Sequence, residues 1–123
     1  MKSVTLFAAS ALFAAPLVVS HANAQSASLS ARTARDLAEI CGANPRAPTG
    51  PAQLNFCDGF AQGAVDVELS HAGATKPFCL PPGTKREVTM HEFSNWVRSS
   101  PARGSDSAAT GLFRFLAERF PCK

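Results

Sequence analysis

The sequence predicts an all-α fold: a small, up-down four-helix domain stapled by two disulfides. Three observations carry this. Apolar residues recur at spacings of three and four in four separate stretches. Pro and Gly gather at Asn44 to Pro51, Gly73 to Gly83 and Pro101 to Gly104, and so part those stretches. The chain holds four Cys, at 41, 57, 79 and 122. An even number of Cys in an exported chain points to a disulfide framework.

Export is read from the start of the chain. Lys2 supplies a positive charge, Val4 to Val19 is an apolar run broken only by Thr5, Ser10 and Pro16, and Ala22-Asn23-Ala24 forms a small-x-small cleavage site. This order marks a secretory signal peptide over residues 1–24. The mature domain is expected over residues 25–123, in the periplasm. The apolar run is too short for a membrane span and no second one follows, so no membrane contact is expected after cleavage. No Cys at the cleavage site offers a lipid attachment point.

The chain carries 12 Lys and Arg against 9 Asp and Glu, a formal charge of +3 that falls by one when Lys2 leaves with the leader. The basic residues are scattered, with Lys85-Arg86 the one adjacent Lys/Arg pair after the leader. Such a balance argues against nucleic acid as a partner.

The first helix is expected from Leu29 to Cys41, with Ser30 as its N-cap. Ala34, Leu37, Ala38 and Cys41 share one face, and Gly42 stops the run. The second is expected from Ala52 to His71. Leu54, Cys57, Ala61, Ala64 and Val65 form its stripe, and Phe56, Phe60, Val67 and Leu69 widen it. That width predicts the most buried helix of the four. Gly59 and Gly63 lie one turn apart inside it, at a cost of about 1 kcal/mol each against Ala. Close approach of a neighbouring helix is the expected compensation.

The third helix has two candidate starts. Thr89-Met90-His91-Glu92 fits a capping box, with Val88 and Phe93 placed for a hydrophobic staple; Thr84 to Glu87 fits a second box one turn earlier. Phe93, Trp96 and Val97 form its stripe, and Pro101 ends it. The fourth helix is expected from Asp106, as N-cap, to Phe120. Ala109, Leu112, Phe113, Leu116 and Phe120 line its apolar face, and Pro121 stops it.

Short links favour an up-down-up-down order. Cys41 then closes the first helix beside Cys57 in the second turn of the second. Cys79 precedes the third helix and Cys122 follows the fourth, at the opposite end. A disulfide needs its Cα atoms within about 7 Å. The pairing Cys41–Cys57 and Cys79–Cys122 alone avoids spanning the bundle.

No catalytic set stands out. After processing the His residues are His71 and His91, and neither sits in metal-ligand spacing. His91-Glu92 would need a second His where Asn95 stands. The Cys are too far apart for a CxxC zinc site, and there is no haem motif, phosphate loop or GxSxG. Asp58 and Asp66 lie eight residues apart on one helix and read as solvated charges rather than an acid–base pair. The expectation is a binding protein without turnover, cofactor or metal.

Several blocks, in order, resemble the Rap/Tai immunity proteins of bacterial type VI secretion. They are Leu37 to Cys41, Phe56-Cys57-Asp58-Gly59-Phe60 with Gly63 and Asp66, Phe78-Cys79-Leu80-Pro81, Thr89-Met90-His91-Glu92-Phe93, and Phe120-Pro121-Cys122. The resemblance spans Asp36 to Cys122. Two departures are visible. The link from Pro81 to Thr89 is longer than in the family, and Ser99 to Ser105 lacks an acidic residue after the proline.

The resemblance implies a periplasmic, all-helical protein, often a homodimer, that binds a cell-wall amidase effector and blocks its cleft. It also implies that a loop near the end of the third helix enters that cleft. The matching positions are Ser99, Ser100, Pro101, Ala102, Arg103, Gly104 and Ser105. The alternatives are a small periplasmic stress or acid chaperone and an accessory subunit of an envelope complex.

Overall fold

A computed structural model of the protein describes residues 29–123. The expected signal peptide, residues 1–24, lies outside the described residues. Four α-helices follow in order: α1 Ala34–Cys41, α2 Gly50–His71, α3 Arg86–Arg98 and α4 Ala108–Arg119. A 3-10 turn, Pro101–Ser105, stands between α3 and α4. No strand forms among the described residues, so the all-α class holds.

α1 is short and central. Its N-cap is Thr33 rather than Ser30, and the helix begins at Ala34 rather than Leu29. The Thr33 hydroxyl accepts from the Asp36 N–H at 3.2 Å, and Asp36 Oδ2 accepts from the Thr33 N–H at 2.9 Å. This is a capping box with Asp in place of the usual Glu or Gln. Ala34, Leu37, Ala38, Ile40 and Cys41 are buried, and α1 packs against all three other helices.

α1 and α4 begin side by side. The Ala34 N–H donates to the Asp106 carbonyl at 2.9 Å, and the Ala108 N–H donates to the Arg32 carbonyl at 3.0 Å. These bonds form a single antiparallel bridge between Thr33 and Ser107, the two N-cap residues. A Cβ built on Gly111 would stand 2.5 Å from the Ala34 Cβ. Glycine is required there because the α4 backbone itself rests on α1.

α2 overturns the expectation that it is the most buried helix. Of its 22 residues only Gly50, Cys57 and Ala61 are buried. Val67 is 59% exposed, and nothing lies within 4 Å of a Cβ built on Gly59 or Gly63. The close helix approach expected at those glycines is absent. The reason is length. At about 1.5 Å per residue, α2 is nearly three times as long as α1 and outruns the element it covers. The helix also starts at Gly50 with Pro51 in its first turn, not at Ala52.

Neither expected box starts α3. The N-cap is Lys85, which makes no side-chain cap bond. Both threonine hydroxyls turn back to carbonyls instead: Thr84 Oγ1 donates to the Pro81 oxygen at 2.7 Å, and Thr89 Oγ1 to the Lys85 oxygen at 3.0 Å. The staple fails too, because Val88 is 55% exposed while Phe93 is wholly buried. α4 is capped by Ser107, whose Oγ accepts from the Thr110 N–H at 3.3 Å. Asp106, the expected cap, instead forms an ion pair with Arg114 at 2.5 Å. The α4 face turned to the core is Ala108, Gly111, Leu112, Phe115 and Leu116. Ala109, Phe113 and Phe120 sit half-buried at its margins.

Both disulfides pair as expected, Cys41–Cys57 with Cα atoms 5.2 Å apart and Cys79–Cys122 at 4.9 Å. Their surroundings differ. Cys41 and Cys57 belong to the core, whereas Cys79 and Cys122 are exposed. Beside the second bridge, Phe78 is buried and anchors the long link between α2 and α3. Its ring stacks on Phe113 with centroids 6.2 Å apart, and the Cys79 N–H donates to the Phe120 carbonyl at 2.9 Å.

Candidate partner-docking site

The segment Ser99 to Ser105 connects the end of α3 to the start of α4. Ser99 is the C-cap of α3; its N–H donates to the Asn95 carbonyl at 3.0 Å and its hydroxyl to the Trp96 carbonyl at 2.8 Å. Ser100 leaves the helix in extended conformation. Pro101 then sets the first backbone angle of the 3-10 turn, for which its ring is suited. The turn closes with the Arg103 N–H on the Ser100 carbonyl at 3.0 Å and the Ser105 hydroxyl on the Ala102 carbonyl at 2.9 Å.

Arg103 ties this turn to the body of the domain. Its Nη1 donates to the Trp96 carbonyl at 2.8 Å and to Ser99 Oγ at 2.9 Å. Its guanidinium carbon lies 4.2 Å from the centroid of the Trp96 ring, a cation–π contact. Trp96 is itself fixed. Its Nε1 donates to Glu118 Oε2 on α4 at 2.9 Å, and its ring meets Phe93 and Phe115 at centroid distances of 6.4 and 5.7 Å.

The seven expected binding positions therefore divide by what they touch. Ser99, Pro101, Ala102 and Ser105 are exposed, Ser100 and Arg103 are half-buried, and Gly104 is buried. The crest is small and weakly polar, and the one charged side chain is spent on holding it. Gly104 is buried because Arg35 of α1 lies against it: a Cβ at Gly104 would stand 3.2 Å from Arg35 Nη2 and 3.3 Å from Arg35 Cβ. Trp96, Glu118 and Arg35 thus support the site. Reading the sequence placed Trp96 in a core stripe and singled out neither of the others. Arg103 follows Trp96 by seven residues across the end of α3, so no helical spacing in the sequence links the two.

The other residues weighed for chemistry do not converge. Asp66 Oδ2 accepts from Gln62 Nε2 at 2.5 Å, and no hydrogen bond joins it to Asp58. Nδ1 of His71 donates to the Val67 carbonyl at 2.8 Å, and Asn95 Nδ2 donates to Nδ1 of His91 at 3.4 Å. Among the described residues no group of three or more His, Cys, Asp or Glu could hold a metal ion, and no helix is long and apolar enough to cross a membrane. A groove of about 320 Å³ between α2 and α3 is floored by Val65, Leu69, Met90 and Leu116; at its rim Arg86 donates to Gln62 Oε1.

No curated protein and no solved structure matches the chain significantly. The sequence profile of the Rap1a immunity proteins matches residues 33–122, from the N-cap of α1 to the last cysteine. The matched stretch takes in all four helices and both disulfides, and on that match the chain belongs to the family of Rap1a immunity proteins.

Proposed function

We propose that this protein acts in the periplasm as an immunity protein that binds a type VI secretion cell-wall amidase and blocks its active-site cleft. The contact is made by Ser99, Ser100 and the turn Pro101–Ser105. One observation carries the reading at the level of residues: the turn is locked before any partner arrives. Arg103 is fixed to Trp96 by a hydrogen bond and a ring contact, and Trp96 is fixed to Glu118. A loop ordered in advance loses little chain entropy on docking, which favours tight binding from a small surface. Its exposed crest carries no bulky side chain and suits a narrow cleft. The two disulfides suit an oxidising compartment, which supports export. The pairing of two copies that the resemblance implies belongs to the same proposal, and sedimentation of the free protein reads it.

The test is a calorimetric titration against a type VI secretion cell-wall amidase. Arg103→Glu removes both the ring contact and the tie to the Trp96 carbonyl. Binding that weakens at least tenfold, with far-ultraviolet dichroism unchanged, fits the proposal. Unchanged affinity removes the turn from the interface. No binding by the unaltered protein, with the amidase still active, removes the inhibitory role.

A further inference from the structure

Resting on that reading of the turn, we infer that the docking surface extends onto α1 and that a notch between Arg35 and Arg98 receives a carboxylate side chain of the partner. The notch, of about 210 Å³, opens beside the turn, with Pro101 and Gly104 on one wall and Ala38 and Val97 as its floor. Arg35 and Arg98 line it, and each guanidinium is laid against a bare backbone position. Arg35 rests on Gly104. Arg98 rests on Gly42, where a Cβ would overlap Arg98 Nη2 and stand 2.6 Å from Ser94 Oγ.

Both arginines are exposed. Among the described residues the ion pairs are Arg114–Asp106 and Arg119–Glu92, so neither Arg35 nor Arg98 has a carboxylate within 4 Å. Residues 1–28 contain no Asp or Glu that could supply one. Glu39 also lines the notch, yet it pairs with neither arginine and leaves the lining one positive charge in excess. A lining with net positive charge suits a carboxylate, which the planar fork of a single guanidinium can hold with two parallel N–H bonds. The site is contiguous with the turn through Gly104, so one partner surface reaches both.

Glu39 makes the inference sharp, because its charge opposes an incoming carboxylate and would attract a cation. Calorimetry with the same amidase separates the cases. The double variant Arg35→Gln/Arg98→Gln should bind about tenfold more weakly. Glu39→Gln should bind about threefold more tightly. The affinity of the unaltered protein should fall with added sodium chloride more steeply than that of the double variant, a comparison that does not depend on small differences in folding. If Glu39→Gln weakens binding, the occupant is a cation and the inference is overturned. If Arg103→Glu weakens binding while the arginine double variant leaves affinity and salt dependence unchanged, the inference fails and the turn remains the site. If neither alters binding, the proposed docking surface fails with it.

Discussion

The hydroxyl of Ser94 on α3, wholly buried, donates to the carbonyl of Ala38 on α1 at 2.6 Å. That carbonyl already accepts the Gly42 N–H at 3.0 Å, the last bond of α1. The contact is a polar register mark between the two most closely packed helices. Ser94→Ala should lower unfolding free energy by about 1–2 kcal/mol, read by urea denaturation with an unchanged slope. No loss would mean that water replaces the hydroxyl.

The glycines should split into two classes. Gly111→Ala gains about 1 kcal/mol of helix propensity but drives a methyl into the Ala34 Cβ, an overlap costing about 1–3 kcal/mol that neither stiff backbone can relieve. A lower melting temperature is expected. Gly59→Ala and Gly63→Ala meet open space, so each should raise stability by about 0.5–1 kcal/mol. Thermal melts of the three variants check the contrast.

Asp36 should make stability depend on acid. The Thr33 N–H first, then the Thr33 hydroxyl and the Arg32 N–H, hold its carboxyl below the ordinary value of 3.8. A depressed folded value means that the ionised form stabilises the fold above the unfolded value. That contribution is present at neutral pH and is lost as pH falls below 3.8 through the lower folded value. Asp36→Ala should therefore be less stable than the unaltered protein at neutral pH, and the gap should narrow below that point. A gap constant with pH would assign the effect to something other than the cap.

The two bridges should differ in reactivity. A dithiol reductant reaches the exposed Cys79–Cys122 pair before the buried Cys41–Cys57 pair. Alkylation and peptide mass mapping during reduction should show Cys79 and Cys122 labelled first. Loop-closure entropy assigns about 4 kcal/mol to the bridge of 43-residue separation and about 3 kcal/mol to that of 16. The variant Cys79→Ser/Cys122→Ser should lose stability on that scale yet keep its helical spectrum. Labelling of Cys41 first would contradict the burial order.

How far the sequence could be read follows from the range of each interaction. Both disulfide pairings and the end of α1 at Cys41 and of α2 at His71 were legible, because covalent reach and local periodicity decide them. The helix starts were less so. Ser30, Thr89 and Asp106 all offer capping chemistry, but Thr33, Lys85 and Ser107 hold the positions; the Thr89 hydroxyl turns back to the Lys85 carbonyl. Asp106 gives its carbonyl to Ala34 and its carboxylate to Arg114. The burial of α2 was misread because a wide apolar stripe reports what a helix could cover, not the length of its neighbour. That Ser99 to Ser105 links α3 to α4 was legible from Pro101 and Gly104. The inward role of Arg103 depends on Trp96 and Glu118, and the support of Gly104 on Arg35, a partner 69 positions away that no local pattern announces.

The most direct measurement is hydrogen–deuterium exchange of this protein with and without a type VI secretion cell-wall amidase. The account predicts that slowed exchange concentrates at residues 99–105 and along α1 near Arg35. Protection confined to the outer face of α2, around Gly59 and Gly63, with residues 99–105 exchanging as in the free protein, would contradict it.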